Sequence, residues 1–106
     1  MLQIQRNLTF TAATESDSYT PDFDGEEMHT NKGPEQDFIF IVDGPAATYT
    51  VQISLNGTDY VDFDAGTAVA LNTPTQIRAK DVLANYIRLK SSIAVTGTVA
   101  FIAKRG

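Results

Sequence analysis

The chain has 106 residues, of which 42% are hydrophobic and 20% charged, with a formal net charge of −5; that suffices for one hydrophobic core, makes a single domain the expectation and is too apolar for a wholly disordered polymer. It contains no cysteine, which excludes disulfides, thiolate metal sites and a cysteine nucleophile. The acidic balance argues against a general nucleic-acid binder, because phosphate neutralisation drives such binding, and no stretch approaches the roughly 18 apolar residues of a membrane span.

The opening MLQIQRNLTF places Leu2, Ile4, Leu8 and Phe10 on one face, with Arg6 as the exception, and Gln3, Gln5, Asn7 and Thr9 on the other. Period two predicts a first strand. The same stretch lacks the apolar run of a signal peptide, so assembly from a cytosol is expected.

Residues 12–36 lose this periodicity and are expected to form a long acidic loop or arm, with Phe23 and Met28 as its apolar anchors. From 12 to 37 there are eight acids (Glu15, Asp17, Asp22, Asp24, Glu26, Glu27, Glu35, Asp37) against one base, Lys32, a local charge of −7. A loop longer than roughly 12 to 15 residues implies function, disorder or a hidden strand, which Ser18-Tyr19-Thr20 would supply. Asp22, Asp24, Glu26 and Glu27 offer hard oxygen ligands around Gly25, the chemistry calcium prefers, although their spacing is not that of a twelve-residue calcium loop. An acidic cluster of this kind is otherwise a solvated loop.

Asp37 to Asp43 (DFIFIVD) is apolar on both faces, which predicts a strand buried centrally or at a subunit contact and makes Phe38 and Phe40 candidate contact residues. Gly44-Pro45 ends it. Tyr49, Val51, Ile53 and Leu55 then alternate with polar residues up to Asn56-Gly57, after which Tyr60, Val61 and Phe63 resume an extended pattern. Asn-Gly accepts the two positive φ angles of a type I′ turn, so a hairpin is predicted there.

Further strands are predicted at 67–71, 75–79, 84–90 and 93–103, with Gly97 a turn or bulge in the last. Ala79 to Tyr86 allows one helical turn at most. Arg78 and Lys80 share one face of their strand, and Arg88 and Lys90 one face of theirs. If the two strands are neighbours, the four bases form a stripe that is either a contact surface or a solvated, edge-protecting face. Seven or eight short strands with frequent turns indicate an all-β fold, a two-sheet antiparallel β-sandwich of jelly-roll type, as a single domain over residues 1–106.

Catalytic constellations are hard to find. The only histidine, His29, sits in the acidic segment, with no sign of a nucleophile and orienting group to complete a triad. There is no phosphate-cradling glycine loop and no His-x-x-x-His pair. Asp59, Asp62 and Asp64 form a second acidic group, better suited to the polar face of a half-buried strand than to a metal. Asn7-Leu-Thr9 and Asn56-Gly-Thr58 match glycosylation acceptors, but without a secretion signal the matches are expected to be accidental. No catalytic residue, cofactor or metal is assigned.

Tyr49 to Asp62 (YTVQISLNGTDYVD), Asn85 to Lys90 (NYIRLK) and Gly97 to Ile102 (GTVAFI) together resemble the small β-sandwich modules of tailed-phage virions, in which an Asn/Asp-Gly-Thr hairpin precedes a Tyr-Ile/Val-Arg strand and a closing Gly-Thr-Val strand. The likeness covers about residues 47 to 103 and includes head decoration (cement) proteins, head-tail fittings and receptor-binding tail domains. It implies a virion structural protein on the capsid surface, assembled in the host cytoplasm. Its implied partners are the major capsid protein or other virion proteins and further copies of itself, not nucleic acid or membrane. The alternative is a carbohydrate- or receptor-binding module, disfavoured by the absence of tryptophan and the presence of only four tyrosines.

Overall fold

The computed structural model describes residues 3–20 and 36–105, and within them the chain is all-β with no helix. Its seven strands are β1 (Gln3–Glu15), β2 (Gln36–Val42), β3 (Ala47–Ser54), β4 (Tyr60–Asp62), β5 (Thr67–Val69), β6 (Thr75–Val82) and β7 (Tyr86–Arg105). Every pairing is antiparallel. The order across the sheet is β4-β3-β7-β2-β6, with β5 also on β3 and β1 also on β7.

Strand β7 organises the molecule. Its first part pairs with β3, from Ser54↔Tyr86 to Tyr49↔Ser91, and its last part runs between β1 and β2, with Gln3 and Asp37 both opposite Lys104. The stretches expected as two strands are therefore one. Gly97 lies within β7 at φ +143°, opposite Phe10, where the pairing with β1 changes register, and it makes no turn. The sheet curls into an antiparallel half-barrel, with strand twist and the irregular β1–β7 pairing between Phe10 and Glu15 bending it.

Residues 12–20, expected to open an acidic loop or arm, are instead strand to Glu15 followed by backbone pairing at Tyr19. Ala12 occupies a bulge in β1 at φ +49° and donates its N–H to Thr96 Oγ1 at 3.0 Å, and the strand resumes to Glu15. Ser16 then donates to the Leu89 carbonyl at 3.0 Å, and Tyr19 forms a two-way bridge with Ile87 at 2.8 and 2.9 Å. The hidden strand foreseen at residues 18–20 is thus a single bridge. The backbone follows β7 here because the Ser16 and Tyr19 N–H groups find β7 acceptors while that of Asp17 turns back to the Thr9 carbonyl, which the polar composition of the segment did not reveal.

The hairpin between β3 and β4 is present, but its turn is not the two-residue type I′ expected. Five residues, 55–59, connect the strands, and Gly57 (φ +80°) has a positive φ whereas Asn56 does not. The Asn56 side chain decides the shape: its Oδ1 accepts the N–H groups of Thr58 and Asp59, both at 2.8 Å, while Ser54 Oγ accepts that of Gly57 at 2.9 Å. An Asx turn of this kind replaces the backbone turn. The predicted 67–71 strand is shortened to β5, and the 75–79 strand runs on to Val82. There, Asp81 (φ +58°) adds an extra residue opposite Asp37, whose Oδ1 accepts the Asp81 N–H at 2.9 Å.

The concave side holds the core. Phe40 lies 5.5 Å from Phe101 and 6.0 Å from Phe38, and Tyr19 caps the group edge-on at 5.1 Å from Phe101. Phe10 meets Tyr49 edge-on at 6.1 Å, joining β1 to β3 across the curl. Each ring is buried except that of Tyr19, which is half-buried, and aromatic pairs in these geometries add about 0.5 to 1.5 kcal/mol beyond area burial.

Candidate functional site

Phe38 and Phe40, singled out as contact residues, are 1% and 0% exposed and belong to the core. Strand alternation then turns their neighbours outward. Ile39 is half-buried and Ile41 is 47% exposed, on the opposite face of the same strand. The register places Ile39 beside Ile102 of β7 and Ile41 beside Ala100, both exposed. These four residues form an apolar centre on the outer face of β1-β7-β2-β6. Gln5 and Asn7 of β1 flank it on one side, and Gln76 and Arg78 of β6 on the other.

Two adjoining hollows mark this surface. One, of about 210 Å³, is lined by Gln5, Ile39, Ile41, Ala100 and Ile102. The other, of about 150 Å³, shares Ile39 and Ile102 and adds Asp37, Arg78, Lys80 and Lys104. The face therefore grades from apolar to basic along the strands. Asp37, the one acid that lines the two hollows, accepts the Asp81 N–H.

The four-base stripe does not form, because β6 neighbours β2 while the Arg88 part of β7 neighbours β3. Arg78 and Lys80 belong to the outer face just described. Arg88 is half-buried: its guanidinium carbon lies 3.7 Å from the Tyr60 ring centroid, and its Nε donates to Gln52 Oε1 at 2.9 Å. Gln52 Nε2 passes the chain on to Asp62 Oδ1 at 2.9 Å, and Ser18 Oγ hydrogen-bonds the Tyr60 hydroxyl. This network ties β3, β4, β7 and the end of the β1 extension together, so Arg88 is a brace. Lys90 is exposed, between Thr50 and Glu15.

A second apolar surface lies at the end of the β3–β4 hairpin, where an open hollow of about 450 Å³ is lined chiefly by Ile53, Leu55, Val61 and Leu83, with Asn56 and Asp59 at its edge. Leu55 is 74% exposed, and Val61 and Leu83 are also exposed. Ile53 and Val61 are opposite each other, and Ile53 is opposite buried Ile87, so this hollow continues the core side of the sheet. It lies on the opposite side from the Ile39–Ile41 surface. Sequence reasoning missed the hairpin surface, whereas two-faced apolarity in β2 announced the other without saying which face was free.

The calcium candidates Asp22, Asp24, Glu26 and Glu27, like His29, lie outside the described residues. Among the described residues no group of three acids or histidines is placed to hold a metal. In the second acidic group, Asp59 accepts from Asn56 Nδ2 at 2.9 Å, Asp62 from Gln52, and Asp64 Oδ1 from the N–H of Gly66 at 3.1 Å, so each carboxylate serves its own turn or strand. Comparison of the chain with protein-family models, with curated proteins and with solved structures gives no match.

Proposed function

We propose that the chain is a non-enzymatic structural protein of a phage virion, a decoration (cement) protein that binds the assembled head and stabilises it. The observation that carries this is the pair of exposed apolar surfaces on opposite faces of one small braced sheet. A module with two such surfaces bridges two partners, and bridging is what a cement protein does. The two ends of the curled sheet, joined through β7, correspond in this picture to the layers of a jelly-roll-like sandwich. The resemblance of residues 47–103 to virion modules points the same way.

Sugar binding is the competing function, and the tyrosines favour assembly over it. Tyr49 is buried against Phe10, Tyr19 packs on Phe101, Tyr60 lies under Arg88, and Tyr86 is half-buried beside Gly57. All four are engaged within the fold instead of standing as free platforms. The test is co-sedimentation with preformed, undecorated heads. Binding that saturates at a fixed copy number per head, and is lost when Leu55 and Val61 are replaced by Ser, is the expected result. No binding to heads, with reproducible glycan-array hits lost in Tyr60→Ala, would overturn it in favour of adhesion.

A further inference from the structure

We infer that Asn56 is a site of self-deamidation held shut by the turn that it builds, so that opening of the β3–β4 hairpin end sets when the chain is modified. This stands apart from the assembly function proposed above.

Of the five asparagines, Asn56 alone precedes a glycine. In an Asn-Gly pair no side chain shields the second residue's peptide nitrogen. Once that nitrogen has lost its proton to solvent hydroxide, it attacks the asparagine Cγ. The new N–Cγ bond closes a five-membered succinimide, the Cγ–Nδ2 bond breaks, and ammonia leaves with a proton taken from water. A water molecule then adds to one ring carbonyl. Reopening of the N–Cγ bond gives aspartate, and opening of the original peptide C–N bond gives isoaspartate.

In the fold, both reacting groups are held. The Gly57 N–H donates to Ser54 Oγ at 2.9 Å, and Ser54 is only 4% exposed. An amide bonded in this way loses its proton only when the bond opens. Asn56 Oδ1 accepts the N–H groups of Thr58 and Asp59, both at 2.8 Å, and the Ser54 hydroxyl at 3.1 Å, while Nδ2 donates to Asp59 Oδ2 at 2.9 Å. The donors on Oδ1 polarise the carbonyl and so favour attack. The same bonds fix the carboxamide, however, and attack needs the ionised nitrogen that Ser54 withholds. The Tyr86 ring covers one side of Gly57, 3.1 Å from where a Cβ would stand. A reactive dipeptide is thus protected by its own turn.

The step runs one way. Aspartate at this position removes the Nδ2 donor and sets a second carboxylate against that of Asp59, where like charges repel. Isoaspartate carries the main chain through Cβ and Cγ, so the side-chain acceptor that orders Thr58 and Asp59 is lost. Asn56 and Asp59 edge the hollow of Ile53, Leu55, Val61 and Leu83, whose rim the modification therefore remodels.

The experiment incubates the full chain at neutral and mildly alkaline pH, folded and in urea. Loss of Asn56 is followed by peptide mapping, and isoaspartate is counted by enzymatic methylation. The expected result is conversion at Asn56 at least about tenfold slower in the folded chain than in the unfolded one. It should quicken with pH in both, and folding should slow it by the same factor as it slows hydrogen exchange of the Gly57 amide. Ser54→Ala, its fold checked by circular dichroism, should speed native conversion about fivefold, the worth of one ordinary hydrogen bond. Ile77→Val, which weakens the far end of the sheet, should leave the native rate unchanged. Equal rates in folded and unfolded chains, an unfolded chain that keeps Asn56 intact, or a folded Ser54→Ala protein that converts at the unsubstituted rate would each overturn the inference. So would a native rate that rises in Ile77→Val, because the gate would then be the whole fold. The comparison of folded with unfolded chain and the Gly57 exchange decide the matter even where Ser54→Ala does not fold.

Discussion

Gln36 shows how much a single side chain can cost. It is 0% exposed, and neither its Nε2 nor its Oε1 has a hydrogen-bond partner among the described residues. As the first residue of β2 it points to the same side as Phe38 and Phe40, so its carboxamide is desolvated within the apolar side of the sheet. An unsatisfied buried polar group costs about 1 to 3 kcal/mol, and an apolar group of similar shape avoids that cost. Gln36→Met keeps the length and flexibility of the side chain without its amide. It is expected to raise the unfolding free energy by about 1 to 2 kcal/mol, read from urea melts at constant m-value. A loss of that size would mean that the carboxamide has a partner. Arg88 is the contrasting case, a charged group whose stacking on Tyr60 and bond to Gln52 repay its partial burial.

At the scale of elements, the hairpin of β3 and β4 rests on Gly57 for two separable reasons. Its φ of +80° is unfavourable for any residue with a Cβ, and a Cβ there would lie 3.1 Å from the Tyr86 ring. Gly57→Ala is expected to cost about 1 to 2 kcal/mol. In a Tyr86→Ala background the crowding is gone and the backbone strain remains, so the same substitution should still cost about 1 kcal/mol. A null effect there would assign the whole cost to the ring contact. This hairpin was legible in the sequence because alternation in Tyr49, Val51 and Ile53 and the Asn-Gly signal agree, although the turn chemistry came from the Asn56 side chain instead of paired positive φ angles. Alternation also located β2, but with Phe and Ile on opposite faces it could not say which row was inside. The larger aromatic rings went to the core and left the isoleucines outside. Strand order was not legible at all: neighbours far apart in sequence, such as β2 and β7, are chosen by whole-chain packing, so a basic stripe assembled from Arg78 and Arg88 had no physical basis. The acidic composition of residues 12–20 likewise concealed backbone pairing that depends on the length of β7.

At the scale of the molecule, β7 makes the curled sheet one cooperative unit. Among the described residues its first part is the only paired neighbour joining β3, β4 and β5 to the rest of the path, and its last part lies between β1 and β2. Loss of either end of the sheet leaves its own part of β7 without a partner, and the core contacts among Tyr19, Phe38 and Phe101 and between Phe10 and Tyr49 cross between the two. Independent melting of the ends would leave half of a buried strand unpaired, with each orphaned backbone group costing as much as a lost hydrogen bond. Ile77 on β6 and Ile87 at the start of β7 sample the two ends, and both are buried. Ile77→Val and Ile87→Val are each expected to cost about 0.5 to 1.5 kcal/mol. Each should lower one shared calorimetric transition by several degrees, since about 1 kcal/mol shifts the midpoint of a domain this size by roughly 4 to 8 °C. The calorimetric and van't Hoff enthalpies should stay equal in both variants. Two resolved transitions, with Ile87→Val moving one and Ile77→Val the other, would mean that β7 joins two independently folding sheets.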